Sequence, residues 1–430
     1  MKKIAAITFG SKVNQYETAC IVDEFAKHSY EAVDFSQDAD VYVINSCTVT
    51  NRTDFKSRNA IRKALQHKVE NPDVKIIVTG CYAQRNYDEI KKLGDIDFVI
   101  DNNKKGEIYN IFENNNSQCF ENILMQKKFS ELSTTSFNEK SRAFIKVQDG
   151  CDYYCTYCAI PYARGHSRSR KKENVLHQIE ILVQNGYKEF VLGGINLGLY
   201  GLDLYSNYTL SDLLFDMEKF NGVEIIRLSS IEPNLFNDKM LDYFRKSKKI
   251  SHHFHIPLQS GSNEILKKMK RRYTTELFET KINMIKEIFP DAAFGFDVIC
   301  GFPSETDELF MQTLDFLDSI DFTYLHIFIY SRRKDTPAAK LKNFVNGEIS
   351  KQRSHKLNEL SKSKTEKYID KLISNKTPLA GIIETEIDGY KTALSDHYIR
   401  IYMKTEKQKQ KHVQNLIPQK RFKDGVLVKI

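Results

Sequence analysis

The chain has 430 residues, 41% hydrophobic and 28% charged, a globular composition that excludes general disorder and leaves room for two or three cores. No run approaches the ~20 apolar residues of a membrane span. The apolar start IAAITFG soon meets Ser11, Lys12 and Asn14, so a cytoplasmic chain without membrane contact is expected. A formal charge of +8 permits a nucleic-acid partner.

Residues 1–125 alternate short apolar runs with helical patterns. IAAITFG (4–10), VYVINS (41–46), KIIVTG (75–80) and FVIDN (98–102) read as buried strands, and 14–28, 52–68 and 84–93 as the helices between them. This is the pattern of a parallel α/β sheet, in which loops at the carboxyl strand ends converge on one edge. Three strands end in G-S, S-C and G-C, so Ser11, Cys47 and Cys81 are expected together on that edge. Residues 126–141 are polar, lack periodicity and read as a linker.

A second βα alternation occupies 142–372. Its strands are AFIKVQ, EFVLGG, EIIRLSS, HHFHIPLQ, AFGFDVICG and YLHIFIYS, six units that make a partial βα barrel with its active site at the carboxyl strand ends. The tail opens with a charged helix over about 349–374. In 373–430 the stretches LAGIIETEIDG, YKTALS, YIRIYM and GVLVKI read as a small β-barrel.

Eight cysteines in such a chain suit metal binding, catalysis or burial better than disulfides. Cys151, Cys155 and Cys158 follow the first barrel strand in CDYYCTYCAIPYARG. Closely spaced thiolates let one loop hold an iron–sulfur cluster, and three of them leave one iron open for another ligand. A zinc site completed by His166 is the competing assignment. Cys20, Cys119 and Cys300 read as structural.

The CxxxCxxC loop at the start of a βα barrel resembles the radical S-adenosylmethionine superfamily. That resemblance implies a 4Fe–4S cluster on Cys151, Cys155 and Cys158, with S-adenosylmethionine on its open iron. It implies cofactor contacts at Tyr157, Gly193, Gly194, Ser229, Ser230, Glu232, Gln259 and Gly301, together with the neighbouring Ser260, Gly261, Phe302 and Pro303, all at the strand ends. ITFGSKVNQYET, VINSCTVT and VTGCYAQ are similar to the first domain of the methylthiotransferases. In that family three cysteines bind an auxiliary, sulfur-donating cluster. Cys47 and Cys81 match, but Ser11 stands at the third ligand position, where a hydroxyl is a poorer iron ligand than a thiolate.

The order Lys12-Val13-Asn14 and the segment PYARGHSRSR resemble the enzymes acting on N6-threonylcarbamoyladenosine in tRNA. The last barrel is similar to the RNA-binding TRAM domain. The family implies a tRNA substrate, an external electron donor such as flavodoxin or ferredoxin, and a monomer. Isopentenyladenosine tRNA, a ribosomal-protein aspartate, and an RNA-binding homologue without catalysis are the competing readings. Three basic runs, Arg164–Lys172, Lys267–Arg272 and Lys404–Lys423, fit a phosphate-tracking surface, and Tyr82, Tyr162 and Tyr200 are candidates for stacking on bases.

Overall fold

A computed structural model of the protein describes residues 1–116, 120–137, 141–404 and 412–429; Cys119, Lys407, Lys409 and Lys411 lie outside them. The first sheet contains β1 (Lys2–Thr8), β2 (Tyr30–Val33), β3 (Val41–Ser46), β4 (Lys75–Gly80) and β5 (Phe98–Val99), all parallel, in the order β2-β1-β3-β4-β5. Alternate residues serve opposite faces. Ile4, Val41, Val43 and Ile77 pack with Ile21 and Phe25 of the helix Lys12–Lys27. Tyr42, Ile44, Ile76 and Val78 pack with Ala60, Ile61 and Ala64 of the helix Asn51–Glu70. Cover on both faces explains why these strands read as continuous apolar runs. The sequence did not signal β2, an edge strand of four residues with two exposed, and β5 is shorter than the FVIDN run suggested.

The chain then forms β6 (Arg142–Lys146), β7 (Gln148–Asp149), β8 (Arg168–Ser169), β9 (Glu189–Gly193), β10 (Ile225–Leu228), β11 (His253–Gln259), β12 (Ala293–Cys300) and β13 (Tyr324–Ile329). Two parallel sets, β10-β9-β6 and β11-β12-β13, form an open barrel in chain order. Their seam is closed by Ile226 N donating to Lys249 O at 2.7 Å and Ser251 N to Ile226 O at 2.8 Å. The short antiparallel pair β7-β8 brackets the three-cysteine loop. Residues expected to form a free linker are packed: Leu132 and Phe137 enter the central core.

The third unit is a closed barrel, β14-β15-β16-β18-β17, made from β14 (Leu379–Ile387), β15 (Tyr390–Ser395), β16 (Arg400–Met403), β17 (His412–Phe422) and β18 (Gly425–Lys429). The sequence pattern missed β17, which is polar and carries Pro418. The register shifts beside that proline, the kind of irregular position where a sheet tolerates it. The barrel sits against the amino ends of the central strands, where Arg227 donates to Ser395 O at 3.1 Å and Ser251 to Asp396 O at 2.6 Å. No helix among the described residues is long and apolar enough to cross a membrane.

Candidate active site

Cys151, Cys155 and Cys158 lie at the carboxyl end of the first central strand, two of them half-buried and Cys155 buried. Burial pushes Cys151 up to about 11 and raises Cys155 and Cys158 as well; neighbouring thiols add to the effect at Cys151 and Cys158, while Arg271 opposes it at Cys155. Such thiols are poor free nucleophiles but are deprotonated readily by a metal. Two N–H donors face them: Arg271 Nη1 at 3.1 Å from Cys155 Sγ and Asn196 Nδ2 at 3.8 Å from Cys151 Sγ. Arg271 also reaches Tyr157 Oη at 3.4 Å and pairs with Glu232. His166 is exposed and faces Asp152 at 2.7 Å. The donor set of three thiols with N–H groups aimed at sulfur fits an iron–sulfur cluster.

The other strand-end residues gather around this loop in different ways. Gly194 has no room for a side chain: a Cβ would sit 3.0 Å from Gln148 Oε1 and 3.1 Å from Leu197 Cα. Ser229 Oγ is buried without a partner, and Ser230 Oγ meets His255 Nδ1. Gln259 holds φ at +66°, a strained value for a residue with a Cβ, which turns the chain at the end of β11. Gly301 is spent on packing, because its N–H goes to Glu305 at 2.7 Å and a Cβ would lie 2.3 Å from Ser350 Oγ.

On the first sheet, β1 and β3 are neighbours although β2 follows β1 in sequence, so the edge between their carboxyl ends is a switch point of the topology. Gly10, just before Ser11, is in contact with Cys47; a Cβ there would lie 2.6 Å from Cys47 Sγ. Cys81 begins the next short helix and accepts from Asn102 Nδ2 at 3.9 Å. Burial raises the Cys47 thiol, and the nearby Cys81 raises it further. Ser11 is exposed, and its hydroxyl caps the helix Lys12–Lys27 by accepting from Asn14 N at 3.4 Å. Cys20 is buried inside that helix and pushed up to about 12 by burial. Cys300 is buried between the carbonyls of Phe328 and Ser350.

A charged cluster buried between the two domains was not legible in the sequence. Glu17 meets Lys105, Lys146 and Arg164, and Asp149 meets Lys146, Arg164 and Arg168. Burial alone would raise the Glu17 and Asp149 carboxyls, but the surrounding cations hold both well below the usual carboxylate range. Four cations face two carboxylates, and Arg164 lies close enough to Cys47 to favour its thiolate. That positive excess fits anionic ligation at Cys47 and Cys81.

The same cluster corrects one expectation. Arg164, Arg168 and Arg170 are buried and bonded to protein groups, so they do not track phosphates. Arg164 and Arg168 fasten the first domain to the barrel through Glu17 and Asn103, and Arg170 ties Glu131 to Gln178, because a buried guanidinium needs several acceptors. Tyr82 and Tyr200 are buried too, which removes them as stacking platforms; Tyr162 stays half-exposed. Lys171, Lys267, Lys270, Arg272, Lys404 and Lys420 remain exposed.

A cavity of about 220 Å³ lies between the first domain and the central barrel, beside Cys158. It is lined by Val49 and Thr50 from the first domain, and by Tyr157, Cys158, Gln259 and Asp297 from the central barrel. Beyond Asp297 the barrel interior is polar. His255 Nε2 and His326 Nδ1 lie 3.1 and 3.3 Å from Asp297 Oδ1, and the Tyr398 ring rests 4.2 Å from that of His253.

Residues 3–101 match the model of the Uncharacterized protein family UPF0004, and residues 145–317 that of the Radical SAM superfamily. The chain is 40% identical over 413 residues to the threonylcarbamoyladenosine tRNA methylthiotransferase MtaB of Bacillus subtilis (strain 168), covering 94% of this chain and 91% of that protein. The chain belongs to the radical SAM methylthiotransferases. The protein of the same name from Aquifex aeolicus (strain VF5) is 40% identical over 404 residues, covering 90% of this methylthiotransferase and 97% of its own length. A solved structure of TsrM from Kitasatospora setae, a radical S-adenosylmethionine methyltransferase, superposes with a TM-score of 0.59 at 12% identity, covering 79% of this chain and 75% of that one. At that identity the likeness speaks for the fold alone.

For a radical SAM methylthiotransferase, a 4Fe–4S cluster and S-adenosylmethionine are implied by the family. Sequence reasoning missed Arg271 as a neighbour of that site, reading it as part of a basic surface run. Only its position after the fourth strand end hinted otherwise.

Proposed function

We propose that this methylthiotransferase converts N6-threonylcarbamoyladenosine beside the tRNA anticodon to its 2-methylthio derivative. The observation that carries the reading is the cavity between the domains, which opens to Cys158 on one side and to Thr50, three residues past Cys47, on the other. A hydrogen-abstracting centre and a sulfur source must both reach one adenine carbon, and a space bordered by both domains beside Cys158 supports that arrangement. The substrate class follows the threonylcarbamoyladenosine enzymes to which the chain is similar along most of its length.

In this reading Cys151, Cys155 and Cys158 hold the cluster that, with S-adenosylmethionine bound, supplies a 5′-deoxyadenosyl radical; Cys47 and Cys81 hold the auxiliary sulfur-donating cluster. Arg271 donates to Cys155 and neutralises Glu232 in a site nearly shut off from solvent. Tyr157, Gly193, Gly194, Ser229, Ser230, Glu232 and Gln259 are the residues that would hold S-adenosylmethionine. The unpartnered Ser229 hydroxyl would offer it a hydrogen bond. The buried cluster around Glu17 fixes the two cysteine sites relative to each other. The enzyme works as a cytoplasmic monomer on electrons from a flavodoxin or ferredoxin. Its TRAM-like barrel and exposed lysines track the tRNA backbone, so affinity falls with salt by a log–log slope of about −0.7 to −0.9 per neutralised phosphate.

The test is a nucleoside profile of tRNA from a strain lacking the gene, with and without the gene returned. Loss and recovery of 2-methylthio-N6-threonylcarbamoyladenosine is the expected result. An unchanged level, or loss of the isopentenyl counterpart instead, defeats the assignment. One observation favours a second reading, an RNA-binding homologue without sulfur transfer: Ser11, exposed and engaged as a helix cap, stands at the third auxiliary ligand position.

A further inference from the structure

Lys12 is the first residue of the helix Lys12–Lys27, whose first turn contains no acidic residue. A cation there opposes the helix dipole, so its position is not explained by helix stability. Among the described residues no carboxylate lies at ion-pair distance from it. Its ammonium reaches out of the first domain and stands 5.6 Å from the ring centre of Tyr398, a residue of the third unit. Tyr398 in turn borders the interior of the central barrel through His253 and Tyr324.

That interior is lined by polar and aromatic groups carried on alternate residues of β11, β12 and β13. Tyr398 stacks on His253 at 4.2 Å and faces Tyr324 at 5.6 Å; Tyr324 lies 5.0 Å from His326, whose ring is 5.1 Å from His255. Asp297 bridges His255 and His326 and opens onto the cavity beside Cys158. A chain of neighbouring side chains therefore links the cavity beside Cys158 to Lys12. His253 is buried, its Nδ1 has no partner, and burial together with Arg227, His255 and Lys12 keeps its imidazolium form disfavoured. The nearby carboxylates are committed: Asp297 to the two imidazoles, Glu232 to Arg271, and Glu189 to Arg227.

We propose that Lys12 receives the carboxylate of the substrate's threonyl group, and that His253 Nδ1 and the free edge of His326 supply further hydrogen bonds beside it. The proposal rests on the functional reading above and deepens it, since it names the group that sets substrate choice. A carboxylate satisfies the ammonium. An isopentenyl group would displace water from it and leave it unpaired, so the same residue selects for one substrate and against the other.

The test is fluorescence anisotropy on the full chain with three anticodon stem-loops. One carries threonylcarbamoyladenosine, one its carboxamide counterpart, and one unmodified adenosine. The parent is expected to bind the carboxylate form at least about tenfold more tightly than the carboxamide, the scale of a charge-assisted hydrogen bond. Lys12→Met should bind both equally, and Lys12→Arg should keep most of the preference. Lys12 is exposed, so both variants should fold, which thermal melts would verify. A Lys12→Met protein that retains the full preference, or a parent that binds all three stem-loops but ignores the carboxylate, overturns the inference while leaving the function standing. A parent that binds none of the stem-loops overturns the functional reading and the inference together.

Discussion

Replacing Arg164 with Met tests whether the buried cluster holds the first domain on the barrel. Arg164 Nη1 donates to Glu17 Oε1 and Asp149 Oδ1, each at 2.8 Å, while Nη2 donates to Glu17 Oε2 at 3.0 Å and Asn14 Oδ1 at 2.5 Å. Breaking a buried pair from one side costs about 3–5 kcal/mol. Here Glu17 keeps Lys105 and Lys146, and Asp149 keeps Lys146 and Arg168, so the lower end, about 3 kcal/mol, is expected. That is roughly a hundredfold in the folding equilibrium. With urea slopes of about 1–3 kcal/mol/M, the midpoint at pH 7 should fall by about 1 M or more.

The sign with pH follows from the two depressed carboxyls. Their stabilisation is present above the unfolded carboxylate range, about pH 4, and is lost as pH falls through the lower folded values. The gap between parent and variant should therefore narrow in acid. Thiol labelling of the metal-free chain should also find Cys47 and Cys81 more accessible in the variant. Coupled with Glu17→Gln, the double variant should cost about 1–3 kcal/mol less than the sum of the two singles. Urea midpoints that coincide with the parent's, or strict additivity, would refute the reasoning.

Gly80→Ala should cost more than about 4 kcal/mol, because φ is +99° and the added Cβ would lie 2.2 Å from Ser46 O; a melting temperature near the parent's would contradict this. Arg271→Met removes the donor to Cys155 and strands Glu232 in a mostly buried place. Iron bound at the central site, counted after anaerobic reconstitution, should fall clearly, and 5′-deoxyadenosine formation about tenfold or more, the scale of one lost charge-assisted hydrogen bond. Unaltered Ser11 protein should reconstitute close to one stable cluster, and Ser11→Cys should add the second together with methylthio transfer. Two full clusters in the unaltered chain would show Ser11, or another group, to be an adequate ligand.

Much of the architecture was legible because it is local. Apolar runs of four to eight residues separated by helical periods gave the parallel sheet and the six barrel strands, and strand-end punctuation placed Ser11, Cys47 and Cys81 on one edge. The three-cysteine loop was legible for the same reason, since a single loop of eight residues carries all three thiols. The edge strand β2 and the polar, proline-bearing β17 were not, because their pairing is set by the strands beside them rather than by their own pattern.

By itself the sequence determined the order of the units, the cysteine spacing and the family these residues resemble. Tertiary structure alone decided the fate of the charges. Arg164 reads as a surface cation in PYARGHSRSR, yet its acceptor Glu17 lies 147 residues away. Lys105 finds the same carboxylate from a third segment. Arg271 turns inward to a cysteine 116 positions earlier, and Lys12, a motif residue in the sequence, comes to stand over Tyr398 of another unit. The physical reason is that an apolar residue carries its preference for burial with it, whereas a charged residue is buried only where partners arrive to meet it. Those partners come from segments that adjoin only once the chain has folded.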